Sequence, residues 1–229
     1  MSVSISAPAA PLVCWNCRER TLGTHFCSNC GKILQAPRGI DYFAFFGLPR
    51  KLRVDLNDLE KRFHELSWRL HPDNFVRATE RERELAVDHS SRLNDAYRTL
   101  REPIARVEYL LALEGARNES QQRQQAPPEL LEEVFELNES LDELRATRAA
   151  GGGASALRER LETAGKTFQE KLAEVDARLE SVFGEWDAAV DGGAEGEARK
   201  ELMSRMNELL NRRSYIRNLV GNVAQELQG

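Results

Sequence analysis

Along most of the chain, apolar residues recur at alternating spacings of three and four, the pattern of helices packed on one face. Leu56, Leu59, Phe63, Leu66 and Leu70 form one such stripe. Asp55 is a natural N-cap ahead of it, Asp58 falls at the third helical position, and Val54 is placed to staple onto Leu59. His71-Pro72-Asp73 ends the stripe, because proline removes a donor and drives its predecessor out of the α region. A second helix is predicted from about Thr79 to Leu100, with Leu85, Leu93, Ala96 and Leu100 inward. Pro103 opens a short third helix carrying Ile104, Val107, Leu110 and Leu111, which Gly115 ends. The pattern describes an antiparallel helical hairpin whose connecting loop displays His-Pro-Asp.

Residues 116–128 are polar, Gln-rich and end in Pro127-Pro128, which marks a linker; Pro37-Arg38-Gly39 marks another. Beyond the second linker, three long helical patterns are separated by Gly151-Gly152-Gly153 and by the stretch from Gly184 to Gly196. Their predicted seams are Leu130, Val134, Leu137, Leu141 and Leu144, then Leu157, Leu161, Ala164, Phe168, Leu172, Val175, Leu179 and Val182. The last helix offers Leu202, Met206, Leu209, Ile216, Val220, Val223 and Leu227. Three mutually antiparallel helices are the expectation. No alternating strand pattern follows residue 40, so the chain is read as all-α with a small cysteine-rich head.

Composition narrows the functional classes. Of 229 residues, 41% are hydrophobic and 30% charged, which supports a core and excludes wholesale disorder. No apolar run reaches the roughly 18 residues of a membrane span. The net charge of -5 argues against a nucleic-acid binder that works by neutralising phosphates. That average hides segregation: residues 126–145 hold seven acids and one base, while residues 198–217 hold six bases and two acids. An acidic helix is therefore expected beside a basic one. The four histidines, His25, His64, His71 and His89, form no Ser-His-Asp or Glu-x-x-His arrangement, so no catalytic site is expected. His64 and His89 read as helix-surface or packing residues.

All four cysteines fall in the first thirty residues, as Cys14-x2-Cys17 and Cys27-x2-Cys30. Paired knuckles of this kind converge four thiolates on one tetrahedral ion, with structural zinc favoured over iron. Two disulfides or redox thiols are the alternative. His25 reads as a bystander to a site already saturated by cysteine, and Trp15 and Phe26 as the head's small core. Residues 1–13 lack a basic n-region and contain Pro8 and Pro11, so the expected compartment is the cytoplasm, or the mitochondrial matrix in a eukaryote.

The placement of His71-Pro72-Asp73, after one amphipathic helix and before a longer one, resembles a J-domain, the module that activates DnaK-type heat-shock ATPases. Asp41-Tyr42-Phe43 through Phe46-Gly47-Leu48, then Leu93-Asn94, Ala96-Tyr97, Pro103 and Tyr109-Leu110-Leu111, resemble the HscB-type co-chaperones of iron–sulfur cluster assembly. The resemblance implies a cysteine head and linker over 1–38, a J-domain over 39–116 and a scaffold-binding three-helix bundle over 117–229. It implies that His71 shapes the loop and that Asp73 pairs with a basic group on a DnaK/HscA-type ATPase, with Pro72 between them and Lys61, Arg62 and Arg69 on the preceding helix. It also implies a patch for an IscU-type scaffold protein, built from Leu131, Glu132, Phe135, Glu136, Glu139 and Glu143 with the flanking pair Tyr215 and Leu219. Some HscB-type proteins carry a comparable cysteine module.

Several features depart from that family. Asn74 stands where lysine is usual, Trp68 where a basic residue is common, and Glu132 where methionine is usual. Lys61, Arg62 and Arg69 are balanced by Asp58, Glu60 and Glu65, so electrostatic steering of the ATPase is expected to be weak. The plainer readings are an ordinary helix-ending turn, with Asp73 capping the next segment, and a bundle with a broad core. The functional alternatives are a general J-domain co-chaperone for unfolded clients and a zinc-ribbon protein acting on nucleic acid.

Overall fold

The structure, a computed structural model, describes residues 12–37, 39–117, 128–153 and 155–228. Most of the expected second linker, and the residues ahead of Leu12, lie outside that set. The fold is all-α with a small β-ribbon at its start, and it divides into two compact units. The first comprises residues 1–114 with residues 186–199, and the second residues 115–185 with residues 200–229.

In the first unit, strands β1 (Leu12–Val13) and β2 (Arg20–Thr21) pair antiparallel at the base of the cysteine head. Helix α1 (Tyr42–Phe46) is capped by Asp41, whose carboxylate accepts from the Ala44 N–H at 2.8 Å and pairs with Arg50 at 2.7 Å. Helix α2 (Leu56–Leu70) begins as predicted: the Asp55 carboxylate accepts from the N–H groups of Asn57 and Asp58. It stops at His71, whose ψ of 130° breaks the helical run before a short 3-10 turn over Pro72–Phe75. Helix α3 (Glu80–Arg101) opens on a reciprocal capping box between Thr79 and Glu82, and α4 (Pro103–Leu113) carries proline in its first turn.

Phe43, Phe45, Leu59, Leu70, Leu93, Leu100 and Leu110 are each at most 2% exposed and form this unit's core. Phe63 stacks on Tyr97 with ring centroids 4.2 Å apart, joining α2 to α3. The predicted inward positions are not all buried. Leu56 is half exposed because it opens the first turn of α2, and Leu85 is half-buried while Ala86 and His89 take the fully buried line of α3. That line runs 82, 86, 89, 93, 96, 100, and it was hidden because Glu82 and His89 are polar.

The second unit is a three-helix bundle of α5 (Leu131–Ala149) with the greater parts of α6 (Ser155–Asp191) and α7 (Glu197–Gln228), residues 186–199 belonging to the first unit. Successive helices run antiparallel, so α5 and α7 run parallel rather than all three opposing one another. Glu129 pairs with Arg212 and Glu226 with Arg145, so both partners advance along the chain together. Across α6 and α7 the order inverts: Asp176 pairs with Arg213 and Glu185 with Arg205. The α5 seam is buried throughout, as predicted. On α7 the buried line is Leu202, Met206, Leu210, Ile216, Leu219 and Val223, so Leu210 and Leu219 replace the expected Leu209 and Val220. A 3.6-residue period drifts against a strict three-four count over so long a helix.

Helix α6 also passes through Gly184 to Asp191, beyond the break predicted there. A helical glycine costs about 1 kcal/mol relative to alanine, and buried packing outweighs it. Phe183 is 2% exposed and Trp186 1%. Within the first unit the Trp186 indole N–H donates to the Arg50 carbonyl at 2.9 Å, and the Asp187 carboxylate accepts from the N–H groups of Leu52 and Arg53. The buried Arg106 guanidinium donates to the Leu52 carbonyl at 2.5 Å, so the loop between α1 and α2 is held from two sides.

Candidate functional site

The His-Pro-Asp loop stands out from the first unit between α2 and α3. The backbone N–H of Asp73 donates to Nδ1 of His71 at 3.3 Å, and the N–H of Asn74 donates to the His71 carbonyl at 3.0 Å. His71 therefore folds the turn with its own ring, through a hydrogen bond that an imidazole acceptor makes only when Nδ1 is unprotonated. The Asp73 side chain is 85% exposed and lies 3.5 Å from the His71 ring, so its carboxylate is presented outward. The Asn74 side-chain amide donates to the Trp68 carbonyl at 2.6 Å, satisfying one of the orphan carbonyls at the end of α2.

The cations expected around the loop do not share one situation. Lys61 is exposed. Arg62 is engaged internally, donating to Asp58 at 2.8 Å and to the Phe46 carbonyl at 3.1 Å. Arg69 lies over the Phe26 ring, 4.5 Å from its centroid, and so faces the cysteine head. Trp68, by contrast, is 77% exposed.

In the head, Cys14, Cys17, Cys27 and Cys30 are free thiols whose sulfurs all lie within 4.8 Å of one another. The Cys14–Cys30 and Cys17–Cys27 separations are 3.6 and 3.7 Å, too long for disulfides. Four thiolates about 2.3 Å from a central ion would stand about 3.8 Å apart, so the cluster can hold one metal ion. The two knuckles use the same bonds. Arg18 N–H donates to the Cys14 carbonyl as Gly31 N–H does to Cys27, and Cys14 N–H donates to Glu19 as Cys27 N–H does to Lys32. Both Arg18 and Gly31 adopt positive φ, 62° and 69°. That conformation suits glycine and is strained at arginine.

Backbone donors prepare the thiols unequally. The Cys30 N–H and its neighbours pull Cys27 down to about 6 despite burial, and Cys30 is lowered by the Lys32 N–H. At Cys14 the Cys17 N–H favours the thiolate, but burial and the hydrogen bonds to Cys30 and Cys17 prevail and push it up to about 11. Four adjacent thiolates without a cation would repel one another; the least favoured keeps its proton.

His25 is not placed as a ligand, and its role was missed in the sequence. Its Nε2 bonds the Phe45 carbonyl at 2.9 Å and its Nδ1 lies 3.4 Å from Nδ1 of His89. His89 in turn bonds the Leu34 carbonyl at 2.8 Å. Burial, with His89 nearby, pushes His25 down to about 4, and burial lowers His89 as well. Lys32 pairs with the buried Glu82 at 2.9 Å, and Arg81 lies over Trp15. Trp15 and Phe26 therefore meet arginines of α3 and α2; the head's own core is Cys14, Cys27 and Leu34.

The second unit carries the other candidate surface. Phe135 is 71% exposed and Leu131 54%, one helical turn apart on α5. Glu132, Glu136, Glu139 and Glu143 are exposed on the same helix. On α7, Tyr215 is half-buried and Leu219 is buried in the bundle core, so they do not form the exposed pair that was expected. The Glu129–Arg212 and Arg145–Glu226 pairs set Tyr215 level with the Leu131–Phe135 turn. The acidic helix does lie against the basic one, yet these four glutamates remain at the surface.

No family model matches the chain. Individual proteins do. It is 36% identical over 152 residues to a co-chaperone protein HscB homolog of Vibrio vulnificus, covering 66% of this chain and 86% of that one. It is 33% identical over 203 residues to the iron-sulfur cluster co-chaperone protein HscB of Mus musculus, covering 86% and 78% respectively. The crystal structure of human co-chaperone protein HscB superposes with a TM-score of 0.63 at 26% identity, covering 93% of this chain and 96% of that one. Among the described residues no helix is long and apolar enough to cross a membrane. With the exposed His-Pro-Asp loop, the three-helix bundle and these relatives taken together, the chain belongs to the HscB family of co-chaperones.

Proposed function

We propose that the chain stimulates the ATPase of a DnaK/HscA-type chaperone and brings to it an IscU-type iron–sulfur scaffold protein, assisting cluster assembly and transfer without itself catalysing a reaction. The observation that carries this reading is the exposed loop, with Asp73 outward and the His71 ring accepting from the Asp73 backbone N–H. Its action is differential binding. Asp73 pairs with a basic group available in the hydrolysis-competent state of the ATPase, and the loop shifts the population toward that state. Lys61 contributes steering, while Arg62 and Arg69 serve mainly to hold α2 to its neighbours.

In this reading the scaffold binds the outer face of α5. Leu131 and Phe135 supply the apolar centre and Glu132, Glu136, Glu139 and Glu143 an acidic rim, with Tyr215 beside them and Leu219 supporting from the core. The cysteine head holds one structural zinc ion, which suits four thiolates and no redox step. The compartment is the cytoplasm, or the mitochondrial matrix if the source is eukaryotic. The relative from Mus musculus is named an iron-sulfur cluster co-chaperone, which supports the choice of client over unfolded polypeptides. A His71→Gln variant tests the reading. It is expected to keep wild-type helicity and lose stimulation of ATP hydrolysis; full stimulation by a folded variant would remove the loop from the mechanism.

A further inference from the structure

Building on the co-chaperone reading, we propose that Trp68 is the anchor by which α2 docks on the ATPase, making that contact aromatic and tolerant of salt. Lys61, His64, Trp68 and His71 recur at spacings of three, four and three, so the indole stands one helical turn before His71 on the same face. The chain has three tryptophans. Trp186 is buried and Trp15 half-buried under Arg81, whereas Trp68 is 77% exposed, at the edge of a shallow depression shared with His64, Glu65 and Arg69. Exposed indoles are costly in water and are concentrated at the energetic centres of interfaces.

Two further observations assign its occupant. The first is continuity with the loop: Asn74 ties its side-chain amide to the Trp68 carbonyl at 2.6 Å and its N–H to the His71 carbonyl. Asn74 is thus a positioning residue that fixes the loop relative to the indole, and a protein seated on His71 and Asp73 covers Trp68 as well. The second is charge. The three cations of α2 are matched by three acids, Arg62 is bound to Asp58 and Arg69 is spent on Phe26. Coulombic attraction therefore supplies little of the docking energy on this helix, and burial of an indole supplies more.

The test is a dose–response of ATP hydrolysis by the purified DnaK-type ATPase against the full chain, at low and high salt, for the wild type, Trp68→Ala, Trp68→Phe, Trp68→Lys and His71→Gln. Because the Trp68 and His71 side chains are both exposed and outside the core, all four variants should keep wild-type circular dichroism. Trp68→Ala is expected to raise the half-maximal concentration about tenfold or more while reaching the wild-type plateau. Trp68→Phe should recover most of the loss, and Trp68→Lys should make stimulation more salt-sensitive than in the wild type. An unchanged half-maximal concentration in Trp68→Ala, with stimulation lost in His71→Gln, overturns the anchor and leaves the co-chaperone reading intact. Wild-type stimulation by His71→Gln overturns that reading and the anchor with it. If Trp68→Ala alters only self-association of the chain, the indole's occupant is a second copy and the proposal fails.

Discussion

Phe135 and Leu219 show how burial separates two apolar residues that the pattern of positions could not. Both were read as flanking the bundle seams, yet Phe135 is 71% exposed and Leu219 only 6%. Phe135→Ala should change stability by no more than about 0.5 kcal/mol in chemical denaturation. On the proposed function it should still weaken scaffold binding about tenfold, measured by calorimetry. Leu219→Ala should instead cost about 2–5 kcal/mol through the cavity it leaves. If Phe135→Ala proves as destabilising as Leu219→Ala, the α5 face is core and not a docking surface. The same scale explains Arg62 and Arg69. Their charge was legible in the sequence, but their partners, Asp58 with the Phe46 carbonyl and the Phe26 ring, are set by folding.

Among the elements, the cysteine head was legible because its chemistry is local: two knuckles at fixed spacing bring four sulfurs together. Its seating against α2 and α3 was not, because it rests on pairs far apart in the chain, such as His25 with His89 and Lys32 with Glu82. A Cys17→Ser variant should bind less metal than the wild type by elemental analysis; undiminished binding would place the ion elsewhere. Acid should loosen the seating in steps. His89 is held below its ordinary 6.5 by burial, so the unfolded state takes up the proton first and stability falls as the pH drops below 6.5. Glu82 is held below its ordinary 4.5 by Lys32, so its contribution is complete above 4.5 and is lost on further acidification. Hydrogen-exchange protection factors in the head, corrected for the intrinsic pH dependence of exchange, should therefore fall between neutral pH and pH 5 before those of the remainder of the first unit; a uniform fall would contradict it. Helix α6 repeats the lesson on a longer element. Gly184 read as a stop, and only the burial of Phe183 and Trp186 shows why the helix continues. Trp186→Ala should cost about 3–5 kcal/mol in equilibrium unfolding.

For the whole molecule, the net charge of -5 conceals a division of the acidic residues of α5. Part of the acidity of α5 is used inside the bundle, where Glu129 and Glu133 meet Arg212 and Lys171. The remainder stays outward around Leu131 and Phe135, in the unit that does not carry the His-Pro-Asp loop. Under the proposed function, that division separates the face offered to the scaffold from the loop offered to the ATPase. The all-α order, the loop and the cysteine cluster were legible because each follows from period or spacing; the parallel course of α5 and α7 follows from the short connections but emerged only with their ion pairs. The most direct measurement is single-turnover ATP hydrolysis by the purified chaperone, with the chain and the scaffold protein added separately and together. Stimulation by the chain, increased further by the scaffold, is the predicted result; His71→Gln should abolish both effects and Phe135→Ala only the scaffold's increment. Hydrolysis unaffected by the wild-type chain, with or without scaffold, would contradict a co-chaperone role.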